Sequence, residues 1–220
     1  MTEVIKRDGT REQLDIEKLH KVVFYACEGI NGVSASEVEI KSQIQFFDGI
    51  TSSEIQETLI KSAADLISEE TPNYQWVAGR LINYHLRKMV YGKFDPINLL
   101  DLIKKNVELG FYDSQILETY SKSEFTKLNK YIKHDRDDSL TYAAMEQFRG
   151  KYLVQNRVTK QIYETPQMAY MLIAMTLFQS YPTETRLRWV KEYYDAVSTF
   201  DISLPTPVMA GVRTPQRQFS

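Results

Sequence analysis

Cysteine is almost absent: the 220 residues contain one, Cys27. A single thiol forms neither an intramolecular disulfide nor a Cys-cluster metal site, so both kinds of staple are excluded. Cys27 sits among apolar residues at a helical position, where a free cysteine behaves as a small buried hydrophobe. Histidine is scarce too. His20, His85 and His134 are far apart in the sequence, and none has a metal-ligand spacing to another His or Cys. A surface or helix-packing role is their simpler reading, beside an unsupported one as catalytic bases. An excess of either charge is missing: 27 basic residues stand against 29 acidic ones. With a sequence pI near 6.0, binding nucleic acid through an overall basic field is excluded, while a local nucleotide site is not. Long apolar runs are lacking. The most hydrophobic stretch, Met168 to Phe178 (MAYMLIAMTLF), is 11 residues long, too short for a bilayer, and reads as a buried helix. The N-terminus, MTEVIKRDGT, is charged from its third residue and has no apolar signal-peptide core. A cytoplasmic protein with no membrane partner is therefore expected. Neither glycine-rich phosphate fingerprint, G-x-x-x-x-G-K-[ST] or G-x-G-x-x-G, occurs.

What is present suffices for a core. Apolar residues make up 43% and aromatics 12%, and the length allows one large domain or two smaller ones. Tyrosine abundance is accounted for by packing. Val4 to Leu14 reads as two short extended pieces flanking Asp8-Gly9, a hairpin-turn dipeptide. Four helical patterns follow. Asp15 caps the first, with Ile16, Leu19, Val23 and Ala26 on one face. Ser36-x-x-Glu39 has capping-box spacing and precedes Val38, Ile44 and Phe47. Thr51-x-x-Glu54 is a second box, leading into Ile55, Leu59, Ala63 and Leu66. Pro72 opens the fourth pattern, which carries Trp76, Val77, Leu81 and Tyr84 and runs to Lys88. Gly92 to Pro96 (GKFDP) marks a boundary, giving domains 1–92 and 93–220. Beyond it are expected a helix over Ile97–Leu109, shorter pieces through Ile132, a charged break at His134–Asp138 and a helix near Ala143–Phe148. A second hairpin is expected from Tyr152–Val154 and Gln161–Tyr163, then helices from Thr165-Pro166 and from Pro182-Thr183, the last with Leu187, Val190, Tyr194 and Val197. The final stretch, Ser203 to Ser220, has no helical period and reads as a tail that orders only against further chain. The fold class is mainly α with an N-terminal β-hairpin.

The densest local chemistry is in the first hairpin. Lys6 and Arg7 precede the turn; Glu12, Asp15 and Lys18 follow it. Arg supplies a planar fork and Lys a point charge for phosphate. The start of the Asp15 helix adds backbone N–H groups and a positive dipole end, and a carboxylate accepts from ribose hydroxyls or an adenine amine. On local chemistry alone an ordinary solvated hairpin remains the simpler reading. The run His134-Asp135-Arg136-Asp137-Asp138 reads as a charged connector rather than an acid–base pair.

The order of motifs is more telling than any one of them. VIKRDGTREQLDIEKLHKV, then FDGITSSEIQETLIKSAADLI, then PNYQWVAGRLINYHLRKMVYG resembles the ATP-cone of ribonucleotide reductase large subunits. KHDRDDSLTYAAMEQFRGKYLVQNRVTKQIYETPQMAYM, followed by YDAVSTFDISLPTPVMAGVRTPQRQFS, resembles the start of the class Ia catalytic subunit of bacterial and phage type. Together they cover essentially the whole chain. The resemblance implies an allosteric site for ATP or dATP, with Mg2+, between a hairpin lid and a four-helix bundle. Lys6 and Arg7 would face the phosphates. Glu12, Gln13, Leu14, Asp15, Ile16, Glu17 and Lys18 would line the nucleotide, with Asp15 toward base or ribose. Ser52 would touch the base side and Lys88 the phosphates. Gln56 departs from relatives that carry His there; Gln donates a hydrogen bond but no charge. Thr206 would contact the ribonucleoside diphosphate at the mouth of a ten-stranded α/β barrel that this chain only begins.

The same resemblance implies radical reduction of the ribose 2′-carbon by a thiyl cysteine and a redox cysteine pair, all beyond Ser220. The chain would be inactive alone and bind no metal directly. It would need the C-terminal portion of the large subunit, whether cut off or separately encoded. Also implied are a small radical-generating subunit with a di-iron tyrosyl radical, thioredoxin or glutaredoxin as reductant, and an oligomer. Two other classes remain open at this point: a stand-alone nucleotide-sensing cone, and a helical scaffold without a ligand.

Overall fold

The structure, a computed structural model, describes residues 2–216. It is mainly helical with one small sheet, as expected, and divides into two compact units. One comprises residues up to 86 together with 138–146; the other comprises 87–137 and the residues from 147 onward.

In the first unit, β1 (Glu3–Ile5) pairs antiparallel with β2 (Arg11–Gln13), Glu3 opposite Gln13 and Ile5 opposite Arg11. The Gly9 amide donates to the Lys6 carbonyl at 2.9 Å and the Lys6 amide to the Thr10 carbonyl at 2.8 Å. Gly9 has φ +84°, so the connection is a longer turn closed by a left-handed glycine rather than a two-residue one. The Asp8 carboxylate braces it, accepting from the Thr10 amide at 2.9 Å and hydroxyl at 2.7 Å. A third strand, β3 (Ile50–Thr51), pairs parallel with β1 and makes the sheet order β2-β1-β3. The sequence reading missed it, because two residues carry no period.

Helix α1 (Ile16–Cys27) is capped by Asp15, whose side chain accepts from the Lys18 amide at 3.0 Å. It buries Leu19, Val22, Val23 and Ala26, but Ile16, expected on that face, is 60% exposed. Helix α2 (Ala35–Gln43) corrects the first capping box: the cap is Ser34 with Glu37, not Ser36 with Glu39. The helix ends before Ile44 and Phe47, which are exposed instead of lying on its apolar face. Helix α3 (Ser52–Ala64) has the expected Thr51/Glu54 box, with both reciprocal bonds formed. Helix α4 (Tyr74–Tyr91) starts two residues after Pro72; Val77, Ala78, Leu81 and Ile82 are fully buried.

The second unit contains α5 (Leu99–Glu108), α6 (Gln115–Thr119), α7 (Lys122–Tyr131), a π turn (Phe148–Tyr152), α9 (Pro166–Leu177), α10 (Thr183–Ser198) and α11 (Thr206–Gly211). A 3-10 turn (His134–Ser139) and α8 (Tyr142–Gln147) fill the charged break and the region after it. Helix α9 is buried on every side from Pro166 to Met175, as expected for an apolar helix without a polar face. The expected second hairpin is reduced to a single bridge, Gln155 opposite Ile162. The expected tail is also corrected. Residues 206–211 are helical, and Arg213 is buried against Glu164, with its backbone carbonyl accepting from the Asp113 amide at 3.0 Å. Residues 217–220 of that stretch lie outside the described residues.

Candidate nucleotide site

The hairpin and the first turn of α1 gather four expected residues into one charge network. Lys6 Nζ lies 2.9 Å from Glu12 Oε1, and Lys18 Nζ lies 3.8 Å from the same oxygen and 3.4 Å from Asp15 Oδ2. Cross-strand register brings Glu12 beside β1, and the cap geometry of Asp15 turns Lys18 back toward it. The Lys6 hydrogen bond, aided by the Lys6 and Lys18 charges, holds the Glu12 carboxyl below its ordinary value. The Lys18 amide does the same for Asp15. Both are ionised acceptors at neutral pH, and neither is tuned as a general acid.

Arg7 takes a different route. Its guanidinium reaches His85 Nδ1 at 3.4 Å, and His85 Nε2 lies 3.4 Å from Glu57 Oε1. With Nδ1 accepting, the ring proton sits on Nε2 and faces the carboxylate. The result is a chain from hairpin to α4 to α3, with a histidine only 3% exposed at its centre. Desolvation lowers the Arg7 value, opposed by the neighbouring Tyr84 hydroxyl. Glu57 was not singled out in the sequence; His85 was read as a surface or helix-packing residue and Tyr84 as part of the fourth helical pattern. The signal was there, Asn83 and His85 being polar between Leu81 and Leu86, but a lone histidine in a helix reads first as packing.

The other expected residues are less tightly joined. Gln13, Ile16 and Glu17 are exposed and Leu14 half-buried, so the lip of the cradle offers apolar surface beside charge. Ser52 is the first residue of α3 and Gln56 lies one turn on, with a buried side-chain oxygen that has no hydrogen-bond partner among the described residues. Lys88 is in the last turn of α4, in the second unit. Thr206 is the exposed first residue of α11.

Two further titratable groups lie apart from this network. Burial pushes the Cys27 thiol up to about 11, which leaves it unreactive. Burial lowers His134 to about 4. Among the described residues no cluster of His, Cys, Asp and Glu could hold a metal ion, and no helix is long and apolar enough to cross a membrane. The arrangement gathers two ammonium groups and two ionised carboxylates around the first turn of α1.

Residues 2–89 match the ATP cone domain, and residues 138–217 match the all-alpha domain of ribonucleotide reductase. Over 217 residues the chain is 56% identical to ribonucleoside-diphosphate reductase 1 subunit alpha of Escherichia coli (strain K12), covering 99% of this chain and 28% of that protein. Identity to the subunit alpha of Haemophilus influenzae is 55%, over 99% of this chain and 29% of the relative. For the subunit alpha of Enterobacteria phage T4 it is 47% over 219 residues, 99% of this chain and 28% of the relative. The chain thus spans under a third of the length of these relatives.

Proposed function

We propose that this chain, a member of the ribonucleotide reductase large-subunit family by its two matched segments, binds ATP and dATP at the hairpin cradle as overall-activity effectors. The observation that carries the reading is the convergence of Lys6, Glu12, Asp15 and Lys18 at the start of α1, within the segment that matches the ATP cone. Lys6 and Lys18 are paired with Glu12. An entering triphosphate competes for them, and its higher charge density favours the exchange. Lys88 adds a third ammonium from the end of α4. The released Glu12 and the capping Asp15 accept hydrogen bonds from ribose or base. Ile16 and Leu14 cover a face of the ring, and Ser52 and Gln56 approach it from α3. Mg2+ arrives with the phosphates, whose oxygens it prefers as ligands.

For the whole protein the reading is the N-terminal portion of a ribonucleoside-diphosphate reductase large subunit. Ribonucleoside diphosphate reduction, with Thr206 touching substrate, proceeds only with the C-terminal portion, a small di-iron radical subunit and thioredoxin or glutaredoxin. Calorimetric titration with dATP and Mg2+ tests the effector site. Saturable binding is expected, weakened at least about tenfold, or about 1.4 kcal/mol, in Lys6→Ala. A flat wild-type trace overturns the reading and favours a helical scaffold without a ligand.

A further inference from the structure

The match to the all-alpha domain begins at residue 138, yet residues 138–146 pack with the first unit. The grip centres on Asp138. Its Oδ1 accepts from the Tyr25 hydroxyl at 2.9 Å and from Asn83 Nδ2 at 2.8 Å. Its backbone carbonyl accepts from Arg80 Nε at 3.2 Å, and the same guanidinium donates to the Glu28 carbonyl at the end of α1 at 2.6 Å. Next along, Leu140 and Met145 are buried, and the Leu140 carbonyl lies where a side chain at residue 79 would be, so only Gly79 lets it in.

These partners belong to the two helices that frame the nucleotide cradle. Helix α1 starts at the Asp15 cap and presents Tyr25 in its last turn. Helix α4 presents Asn83 next to Tyr84 and His85, the residues that face Arg7. A helix moves as a rigid rod over this length, so displacement at the cradle reaches Tyr25 and Asn83. One carboxylate oxygen receives both. Asn83 is fully buried, which leaves its amide no water with which to replace Asp138.

We propose that Asp138 is the coupling residue between nucleotide site and strap: bonded at once to Tyr25 on α1 and Asn83 on α4, it makes residues 138–146 respond to effector occupancy. The strap is covalently continuous at both ends with the second unit, which gives the signal a way out of the cone. This inference rests on the effector reading above, and linkage makes the coupling reciprocal.

Hydrogen exchange on the full chain, with and without saturating dATP and Mg2+, tests it. In the wild type, dATP should slow exchange in residues 5–18 and change it at least about twofold in 139–146. In Tyr25→Phe with Asp138→Asn, calorimetric dATP affinity should stay within about threefold while the response of 139–146 disappears. A strap indifferent to dATP while the hairpin is protected overturns the coupling, as does a strap response that survives in the double variant. Absence of dATP binding overturns the effector reading separately. The coupling is then decided without ligand: the double variant should alter exchange in the hairpin and first turn of α1, and an unchanged pattern there refutes it.

Discussion

Glu164 and Arg213 are 0% and 2% exposed and form a buried ion pair in the second unit. Such a pair is tolerable only when every remaining lone pair and proton is satisfied. Here the carboxylate also accepts from the Tyr112 hydroxyl at 2.6 Å and the Val154 amide at 2.7 Å, and the guanidinium donates to the Met209 carbonyl at 2.6 Å and the Tyr152 carbonyl at 2.9 Å. Removing one partner leaves an uncompensated charge in the core. Arg213→Ala is expected to lower unfolding free energy by about 3–5 kcal/mol in urea titration, whereas Arg188→Ala, whose partner Glu192 is exposed, should leave the midpoint unchanged. Two other groups are expected to contribute to the acid limb. The Arg186 fork holds Glu124 at about 2, below its ordinary 4.5, and burial holds His134 at about 4, below 6.5. Both folded values are depressed, so the unfolded chain takes up the protons first and stability falls as pH falls. The His134 contribution is complete above about 6.5 and lost toward about 4; the Glu124 contribution is complete above about 4.5 and lost toward about 2. Urea midpoints against pH should lose the upper slope in His134→Gln and the lower slope in Glu124→Gln. Slopes that persist in both variants would show that other groups carry the acid limb.

Among the elements, Gly79 in the middle of α4 separates local propensity from tertiary contact. Ala at an exposed helix position stabilises by up to about 1 kcal/mol relative to Gly. At residue 79 the added carbon overlaps the Leu140 carbonyl, which is backbone and has nowhere to turn. Gly79→Ala is therefore expected to lower the thermal midpoint, with increased exchange in 139–146; a raised midpoint would disprove the close approach. The contrast also shows which elements were readable. Thr51/Glu54 was legible because both capping bonds close within four residues. Ser36/Glu39 was misread because Ser34/Glu37 has identical spacing. The choice is made from α4, where the Tyr74 hydroxyl accepts from the Ser34 amide at 2.9 Å and donates to Glu37. The short β3 exists only because β1 lies beside it. The cradle divides the same way. Its hairpin half is contiguous and was legible, whereas His85 meets Arg7 across 78 residues, a pairing that no local pattern announces. The helix in the last stretch was hidden for a like reason, since Arg213 is held by Glu164, 49 residues away.

On the scale of the whole molecule, the compact units do not coincide with sequence segments. A boundary at residue 92 would leave the first unit without residues 138–146. Those residues cover Gly79, satisfy the buried amide of Asn83 and cap the end of α1 through Arg80. A fragment ending at 92 keeps the hairpin, β3 and all four helices, and so keeps every charge of the cradle except what the strap orders indirectly. It loses the carboxylate that accepts from Asn83, together with the apolar cover from Leu140 and Met145. The fragment 1–92 is accordingly expected to fold with a lower urea midpoint than the same residues show by exchange within the 220-residue chain, and adding residues 138–146 through a flexible linker should restore much of the difference. The comparison should be made with and without dATP, because a ligand that binds only the folded form raises both midpoints by mass action without altering their order. Equal midpoints for the fragment and the full chain would mean that the strap contributes nothing to the first unit, and that residues 2–92 carry their stability alone.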